Sequence, residues 1–253
     1  MNETTKCPTA AVLIIGNEIL SARTQDVNLN AIARKLLAMG IQLAEARVVR
    51  DDEAAIIEAI NALRARYTYV LTTGGIGPTH DDITTQSIAK ALGLPLVQHP
   101  DATTLLKAYY TPADLNPERL RMASMPHGAR LIDNPVSVIP GFQIENVYVL
   151  AGVPEVMLAM LDIVAQTLQQ GPRLHVVTIN CRVTEGLLAG ELAELASRFP
   201  QLELGSYPSL RRGELGVALV VRGTDQVAVA EAVEEIKAIV TRHGGKPEVE
   251  SAI

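Results

Sequence analysis

Short apolar runs and amphipathic stretches alternate along the chain as far as Gly93. The continuous apolar run Ala10–Ile15 is typical of a buried strand, whereas Asn28–Met39 has apolar residues at helical spacing. The strands predicted in this region are Ala10–Ile15, Ile41–Val49 and Tyr67–Thr73. The predicted helices between and after them are Asn28–Met39, Asp52–Arg66 and a helix from about Asp82 to near Gly93. Their order predicts an α/β fold with a mostly parallel sheet and right-handed crossovers.

From Pro95 the pattern becomes less regular. It predicts two short helices, Asp101–Tyr110 and Asn116–Ser124, and then a strand-rich stretch, Arg130–Ile139. A strand at Val147–Leu150 and a longer helix from Pro154 to about Gln170 follow. Gly171-Pro172 is the predicted boundary between two domains, residues 1–171 and 172–253. The pattern of the second part predicts a small α+β domain. Its predicted strands are His175–Val183, Leu202–Tyr207 and Gly216–Arg222, and its predicted helices are Glu185–Ser197 and Asp225–His243.

Composition restricts the partners of the protein. With 48% hydrophobic residues, 3% aromatic residues and no Trp, the core must be aliphatic, which suits a parallel sheet covered by helices. A chain with a net charge of -6 lacks the broad basic surface of a nucleic-acid binder, so no nucleic-acid partner is predicted. An anionic small molecule is compatible with this charge, because main-chain N–H groups and metal ions supply positive potential locally.

The cysteines and the apolar runs indicate the compartment. Cys7 and Cys181 lie far apart, without a C-x-x-C pair or a histidine cluster, which favours reduced thiols over a disulfide or a zinc site. The first residues and the apolar runs fit neither a signal peptide nor a membrane span. We therefore expect a cytoplasmic protein without a membrane partner.

The segment Thr72–Asp82 has the strongest chemical signal. It holds three glycines, three threonines and two aspartates in eleven residues, between an apolar strand and a predicted helix. Open α/β sheets bind ligands at such positions, and a glycine-rich turn lets main-chain N–H groups approach an anion closely. The predicted phosphate-binding residues are Thr72, Thr73, Gly74, Gly75, Gly77 and Thr79. The competing interpretation is a plain turn in which Asp81 or Asp82 caps the following helix.

Two carboxylates are candidates for catalysis and metal binding. Asp82 would repel a neighbouring phosphate unless a cation intervenes, and Asp51 follows the second strand at the same predicted edge of the sheet. Mg²⁺ typically binds one or two carboxylates together with phosphate oxygens. Asp51 and Asp82 are therefore predicted to be catalytic residues that hold Mg²⁺ or a similar divalent ion. The alternative role of Asp51 is a helix cap.

Two further segments are predicted to line the same pocket. Glu18 follows the first strand, where it could accept a hydrogen bond from a ring N–H, orient a metal-bound water or pair with Arg23. Gly152 lies in a Gly/Pro turn between a strand and a helix and could add another wall. A polar cluster after the first strand could cap a helix or face the cleft: Asp26, Asn28 and Asn30.

Four segments together identify a family resemblance. They are Gly16-x-Glu18-Ile19-Leu20, Thr24-Gln25-Asp26-x-Asn28, Thr72–Thr84 and Gly152-Val153-Pro154-Glu155. In combination they resemble the MoaB/Mog-type molybdopterin-binding domain over about residues 10–170. The pattern is most similar to the N-terminal part of competence/damage-inducible protein A and to the pterin-binding-like domain of some eukaryotic FAD synthases. The C-terminal part looks like the small second subdomain of the competence-protein branch.

The resemblance implies a three-layer α/β/α domain, a homo-oligomer (dimer or trimer) and a ligand cleft at the segments around Gly16, Asp51 and Thr72–Asp82. It implies molybdopterin as a possible ligand, and it matches Asp51 and Asp82 to the two carboxylates held essential in active members. Ala22 departs from the pattern, because many relatives carry Gly there.

Activities in the family divide into adenylyl transfer onto molybdopterin and metal-dependent hydrolysis of ADP-ribose or FAD. The preferred hypothesis is that the chain binds a phosphorylated pterin or nucleotide and hydrolyses a dinucleotide pyrophosphate with a divalent metal. The competence-type pattern favours it, because that pattern is closer than the biosynthetic one. The alternatives are a non-catalytic molybdopterin- or nucleotide-binding module, adenylyl transfer in molybdenum cofactor biosynthesis, and an interaction protein with a vestigial pocket.

Overall fold

A six-stranded sheet forms the core of the first of two compact units. The structure is a computed structural model that describes residues 7–211 and 214–252, and the two units divide after Gly171. The elements of this unit are β1 (Thr9–Ile15), α1 (Asn17–Leu20), α2 (Asn28–Ala38), β2 (Gln42–Val49), α3 (Glu53–Arg64), β3 (Tyr69–Thr73), α4 (Thr84–Ala91), β4 (Leu96–Gln98), α5 (Pro100–Tyr109), α6 (Pro117–Arg121), β5 (Ser124–Pro126), β6 (Arg130–Ile132), β7 (Gly141–Ile144), β8 (Val147–Leu150) and α7 (Pro154–Ala165). The strand order is β2-β1-β3-β8-β7-β6. The first four of these strands are parallel, and β7 and β6 add antiparallel pairs.

Helices cover both faces of this sheet. α2 and α7 belong to one apolar core, and α3 and α4 belong to the other. Val12 and Leu13, which are neighbours in β1, point into opposite cores, so both faces of the strand are buried. This double burial explains why β1 is apolar throughout instead of alternating with polar residues. The predicted three-layer α/β/α architecture is confirmed.

The stretch between β5 and β8 differs from the prediction. The predicted strand-rich stretch Arg130–Ile139 contains only β6, and β7 was not predicted. Asn134 accounts for the break, because its Oδ1 accepts hydrogen bonds from the N–H groups of Val136 and Ser137 at 3.1 and 2.9 Å. These bonds turn the chain so that it returns as an antiparallel strand beside β8.

Ala22 is strained in the turn after α1. Its φ angle of 57° lies in the left-handed region, where a Cβ is unfavourable. Ala22→Gly is therefore expected to raise the free energy of unfolding by about 0.5–1 kcal/mol. Thermal denaturation should show this as an increase of roughly 2 °C in Tm.

An exposed helical alanine provides the control for this substitution. Ala54 lies in α3, so Ala54→Gly should lower the free energy of unfolding by about 0.5–1 kcal/mol. If the Tm falls for both variants, then the strain at Ala22 does not limit stability.

The second unit is a small α+β domain, as predicted. Its elements are β9 (His175–Cys181), α8 (Glu185–Arg198), β10 (Glu203–Arg211), β11 (Glu214–Gly223), α9 (Gln226–Arg242) and β12 (Glu248–Ala252). The antiparallel sheet has the order β10-β11-β9-β12, and both helices contribute to its apolar core. β12 was not predicted, because it is a short edge strand with two glutamates and little apolar pattern.

Two expectations about the chain can be compared with the structure. Cys7 and Cys181 are both free thiols among the described residues, as expected. Within residues 7–211 and 214–252, no helix has the length and apolar character needed to cross a membrane.

Candidate functional site

The carboxyl ends of β1 and β3 lie side by side at a point where the chain changes direction. These two strands are adjacent and parallel, with Ile14 opposite Thr73. The longer helix between β1 and β2 (α2) packs on one face of the sheet, and the helix that follows β3 (α4) packs on the other. In open α/β sheets, a crevice forms at such a switch point and binds ligands. The predicted segment Thr72–Asp82 begins at this crevice.

Main-chain contacts at Gly74 bring three strand ends together. Gly74 has a φ angle of 101°, and a Cβ there would overlap the carbonyl oxygen of Ile15 at the end of β1. Its N–H donates a hydrogen bond of 3.3 Å to the carbonyl oxygen of Leu150 at the end of β8. A Cβ on Gly152 would lie 3.2 Å from the Cα of Gly74. Gly74 is therefore required to be glycine by both conformation and space.

The next three amides are available to a ligand. The N–H groups of Gly75, Ile76 and Gly77 make no hydrogen bond to any atom in the described ranges. The preceding carbonyl groups are held by α4, because Thr84 Oγ1 donates to Gly74 O at 2.9 Å and Thr84 N–H donates to Gly75 O at 3.1 Å. The three residues are partly exposed. Consecutive unpaired amides in a turn form a concavity that attracts anions.

Asp82 closes the same loop instead of capping α4. Its Oδ2 accepts hydrogen bonds from the N–H of Thr79 at 2.8 Å and from the Thr79 hydroxyl. α4 begins at Thr84, and its N-cap is Ile83, which has no polar side chain. The alternative in which Asp81 or Asp82 is the N-cap is therefore wrong. A Cβ on Gly77 would lie 2.6 Å from Asp82 Oδ2, so the carboxylate lies directly over the glycine turn.

Asp51 is joined to the start of α1 and not to α3. Its Oδ2 accepts a hydrogen bond of 2.9 Å from the N–H of Asn17. The cap of α3 is Asp52, whose Oδ1 accepts from the N–H of Ala55 at 2.9 Å. The alternative role of Asp51 as the cap of α3 is therefore wrong.

Four of the predicted residues line one cleft, which we call the β1–β8 cleft. Its lining residues are Ile14, Ile15, Glu18, Ile19, Thr24, Gln25, Asp26, Val27, Asn28, Thr73, Gly74, Gly152 and Pro154. Among the ion pairs of the described residues there is none between Glu18 and Arg23, so the predicted alternative of pairing is not observed. Glu18 instead folds back over Gly16, where a Cβ would overlap its carboxylate.

Asn28 is the residue in this cleft whose role the sequence left open. It begins α2 and is only 5% exposed. The N-cap of α2 is Val27, and Asp26, one residue earlier, accepts a hydrogen bond through Oδ1 from the N–H of Leu29 at 3.0 Å. Asn28 Nδ2 donates to Gly152 O at 2.8 Å, and its Oδ1 is buried without a partner in the described part of the chain. Of the two predicted alternatives, Asn28 therefore faces the cleft.

A second cleft, which we call the α4–α6 cleft, lies on the other side of the loop. Its lining residues are Ile76, Gly77, Asp82, Thr85, Gln86, Leu96, Arg121, Met122 and Ser124. Arg121 was not predicted to contribute. Its Nη2 donates to Pro78 O at 3.1 Å and to Thr79 O, so the guanidinium group holds the loop at α6. No local motif marks Arg121, because its position depends on the packing of α6 against the loop.

Thr72 has a different environment from the other predicted residues. It is fully buried within β3, its Oγ1 has no partner among the described residues, and it lines neither cleft. Thr79 is exposed and acts through Asp82. The predicted set therefore divides into residues of the two clefts, the loop between them, the strand residue Thr72, and Asp51, which lines neither cleft and is bonded to Asn17.

Comparisons with known proteins identify the family. The profile of the family described as probable molybdopterin binding domain matches residues 11–170, and that of the FAD synthase middle domain matches residues 173–245. Protein Ta0487 from Thermoplasma acidophilum is 32% identical over 236 residues, which cover 89% of this chain and 92% of the relative. A CinA-like protein from Desulfosudis oleivorans is 34% identical over 209 residues, which cover 78% of this chain and 51% of that protein.

A solved structure extends these similarities. The crystal structure of the protein CinA, of unknown function, from Thermoplasma acidophilum is 37% identical, with a TM-score of 0.61. The match covers 64% of this chain and 98% of that one. The protein therefore belongs to the family of probable molybdopterin binding domains, in the branch that contains the CinA-like proteins.

Proposed function

We propose that the protein binds a phosphorylated pterin or nucleotide at the switch point between β1 and β3, and that it hydrolyses a dinucleotide pyrophosphate of the ADP-ribose or FAD type with a divalent metal. The observation that carries the proposal is the run of three unpaired amides at Gly75, Ile76 and Gly77. Such amides bind a phosphate through partial positive charge without needing a basic side chain. This fits a chain whose net charge is -6.

Clefts on both sides of these amides support a ligand with two ends. The β1–β8 cleft includes Gly74, and the α4–α6 cleft includes Ile76 and Gly77. A phosphate on the loop would direct one substituent toward each cleft, and the clefts, of about 60 and 30 Å³, would have to widen to take a ring. A pyrophosphate that joins two groups has this shape, whereas a single phosphomonoester would use only one cleft.

The carboxylates fit a metal that is shared with the ligand. No group of three or more His, Cys, Asp or Glu side chains in the described ranges could hold an ion on its own. Asp51 and Asp82 each use Oδ2 within the protein, and neither Oδ1 makes a hydrogen bond to the described residues. Two carboxylates with phosphate oxygens are a typical environment for Mg²⁺. Asp51 and Asp82 would hold the ion, which supplies positive charge to the phosphate oxygens when bound.

The side chains of the site would orient the reactants. The amides of Gly75 to Gly77 would hold the phosphate oxygens, and Thr79 fixes the carboxylate of Asp82 from one side. The free oxygens of Asp51 and Asp82 would accept hydrogen bonds from the attacking water. The water oxygen forms a bond to phosphorus, the bridging P–O bond breaks, and the protons of the water are shared between a carboxylate and the leaving phosphate. The products are two monophosphates.

A panel of substrates tests the proposal. Purified protein is expected to release nucleoside monophosphate from ADP-ribose or FAD in the presence of Mg²⁺, Mn²⁺ or Co²⁺, and to stop when EDTA is added. Product formation is measured by chromatography beside ligand binding by calorimetry. Absence of both binding and turnover for these ligands and for phosphorylated pterins would reject the proposal.

Binding without chemistry is the second candidate. It is favoured by the small number of carboxylates at the site, since the described residues offer no closed metal site. In the same panel, this candidate is expected to give saturable binding with every divalent ion but no product.

A further inference from the structure

The amide group of Asn28 has a fixed orientation, which leaves its oxygen available. Its nitrogen lies 2.8 Å from Gly152 O. Because a carbonyl oxygen can only accept, the side-chain NH₂ must face Gly152, and the reverse orientation would bring two oxygens together. Oδ1 then points away, is buried, and has no partner in the described part of the chain. A buried acceptor without a partner is unfavourable, so a ligand that donates to it would gain affinity.

The charged groups of the β1–β8 cleft are acceptors, whereas Thr24, Gln25 and Thr73 add side chains that can also donate. The cleft is lined by the carboxylates of Glu18 and Asp26, and no Lys, Arg or His is among its described lining residues. An ionised carboxylate accepts hydrogen bonds and donates none. By contrast, the α4–α6 cleft contains the guanidinium group of Arg121. The two ends of the site therefore differ in what they can bind.

Three kinds of ligand group can be compared for this acceptor-rich cleft. A phosphate is unfavourable there, because two carboxylates would repel it and the described lining includes no cationic side chain. A ribose hydroxyl carries a single hydrogen, so it can donate to Asn28 Oδ1 or to Glu18 but not to both. An amino group on a heteroaromatic ring only donates, because its lone pair is delocalised into the ring.

We infer that the β1–β8 cleft binds the exocyclic amino group of a heterocyclic base, with Asn28 Oδ1 and the carboxylate of Glu18 as the acceptors. The inference rests on the proposed function, because it takes the phosphate of the same ligand to lie on the amides of Gly75 to Gly77. Adenine and pterin rings both carry such an amino group, so the shared chemistry is the amino group itself.

Access to Asn28 Oδ1 requires a small movement of the protein. The atom is covered, whereas the neighbouring turn Ser21–Gln25, which contributes Thr24 and Gln25 to the cleft, is exposed along its whole length. The cleft has a volume of about 60 Å³, which is too small for a planar ring, so we expect binding to displace this turn.

Matched ligand pairs test the inference with the full chain. In the adenine arm, calorimetry compares ADP with purine riboside 5′-diphosphate, which lacks only the amino group. In the pterin arm, neopterin monophosphate is compared with its lumazine counterpart, in which an oxo group replaces the amino group. We expect loss of the amino group to weaken binding roughly tenfold in at least one arm. The arm that shows the difference identifies the ring.

Variants assign the effect to the cleft. Asn28→Ala and Glu18→Ala should each reduce the tenfold preference to about twofold or less, because each removes one acceptor. Glu18 is exposed, so its variant is informative even if Asn28→Ala fails to fold without the bond to Gly152. Asn30→Ala is the control, since Asn30 is exposed on the same helix and lines neither cleft.

The outcomes separate this inference from the proposed function. Equal affinities within both pairs would overturn the inference and leave the proposed function standing. Binding of none of the four ligands would overturn both. A preference that persists in Asn28→Ala and in Glu18→Ala would show that the amino group binds elsewhere, and it would also overturn the inference.

Discussion

Asp82→Asn is expected to reduce the hydrolysis of ADP-ribose or FAD by on the order of 100-fold or more while the protein stays folded. The amide Oδ1 of asparagine can still accept the hydrogen bonds from Thr79, so the loop remains closed. The substitution removes the negative charge that would hold the divalent ion beside the phosphate. Steady-state release of nucleoside monophosphate measures the effect, and circular dichroism checks the fold.

The adjacent aspartate supplies a matched control. Asp81 is exposed and precedes Asp82, yet it does not line the α4–α6 cleft. Asp81→Asn removes the same charge one residue away, and its turnover should stay within about twofold of the unmodified protein. Equal losses in both variants would indicate a general electrostatic effect, and full activity of Asp82→Asn would reject its catalytic role.

Gly74→Ala is expected to lower the free energy of unfolding by about 3 kcal/mol and to abolish ligand binding. The φ angle of 101° is unfavourable for alanine, and the new Cβ would overlap Ile15 O. The obstacle is main chain at the end of a buried strand, so it cannot rotate away as a side chain would. Relief would require β1 and β3 to separate where the amides of Gly75 to Gly77 are positioned. Urea denaturation measures the change in stability.

Gly93→Ala separates the two causes. Gly93 has a positive φ of 65°, and a Cβ there would have no atom within 4 Å. This control carries the conformational cost without the clash, so we expect a loss of only about 1 kcal/mol and unchanged ligand binding. If the two variants lose the same stability, then the contact between Gly74 and Ile15 is not the constraint described above.

Local pattern was sufficient to predict the elements that build the sheet. The apolar run Ala10–Ile15 and the strand Val147–Leu150 agree with β1 and β8 to within one residue, because each is bounded by turn residues and buried on both sides. The start of α4 was predicted two residues too early. Asp82 looks like a helix cap in the sequence, but its carboxylate binds back to Thr79.

The contacts that complete the site were beyond the reach of local pattern. Asn28 is joined to Gly152 across 124 residues, and Arg121 reaches Thr79 across 42. Neither pair has a spacing that local periodicity could reveal, since each depends on how α2 or α6 packs against the loops. The polarity of the two clefts is therefore a property of the tertiary structure, although each residue in them is visible in the sequence.

The junction of Ile15, Gly74 and Gly152 is made of peptide groups, and this has a consequence for how such a protein can change over evolutionary time. Peptide atoms are the same whichever side chains surround them, so this main-chain junction tolerates replacement of most of the side chains around it. New side chains at positions such as Glu18 or Arg121 could redirect the protein to another ligand while the scaffold beneath persists. A single ancestral backbone could in this way give rise to proteins with different chemistry.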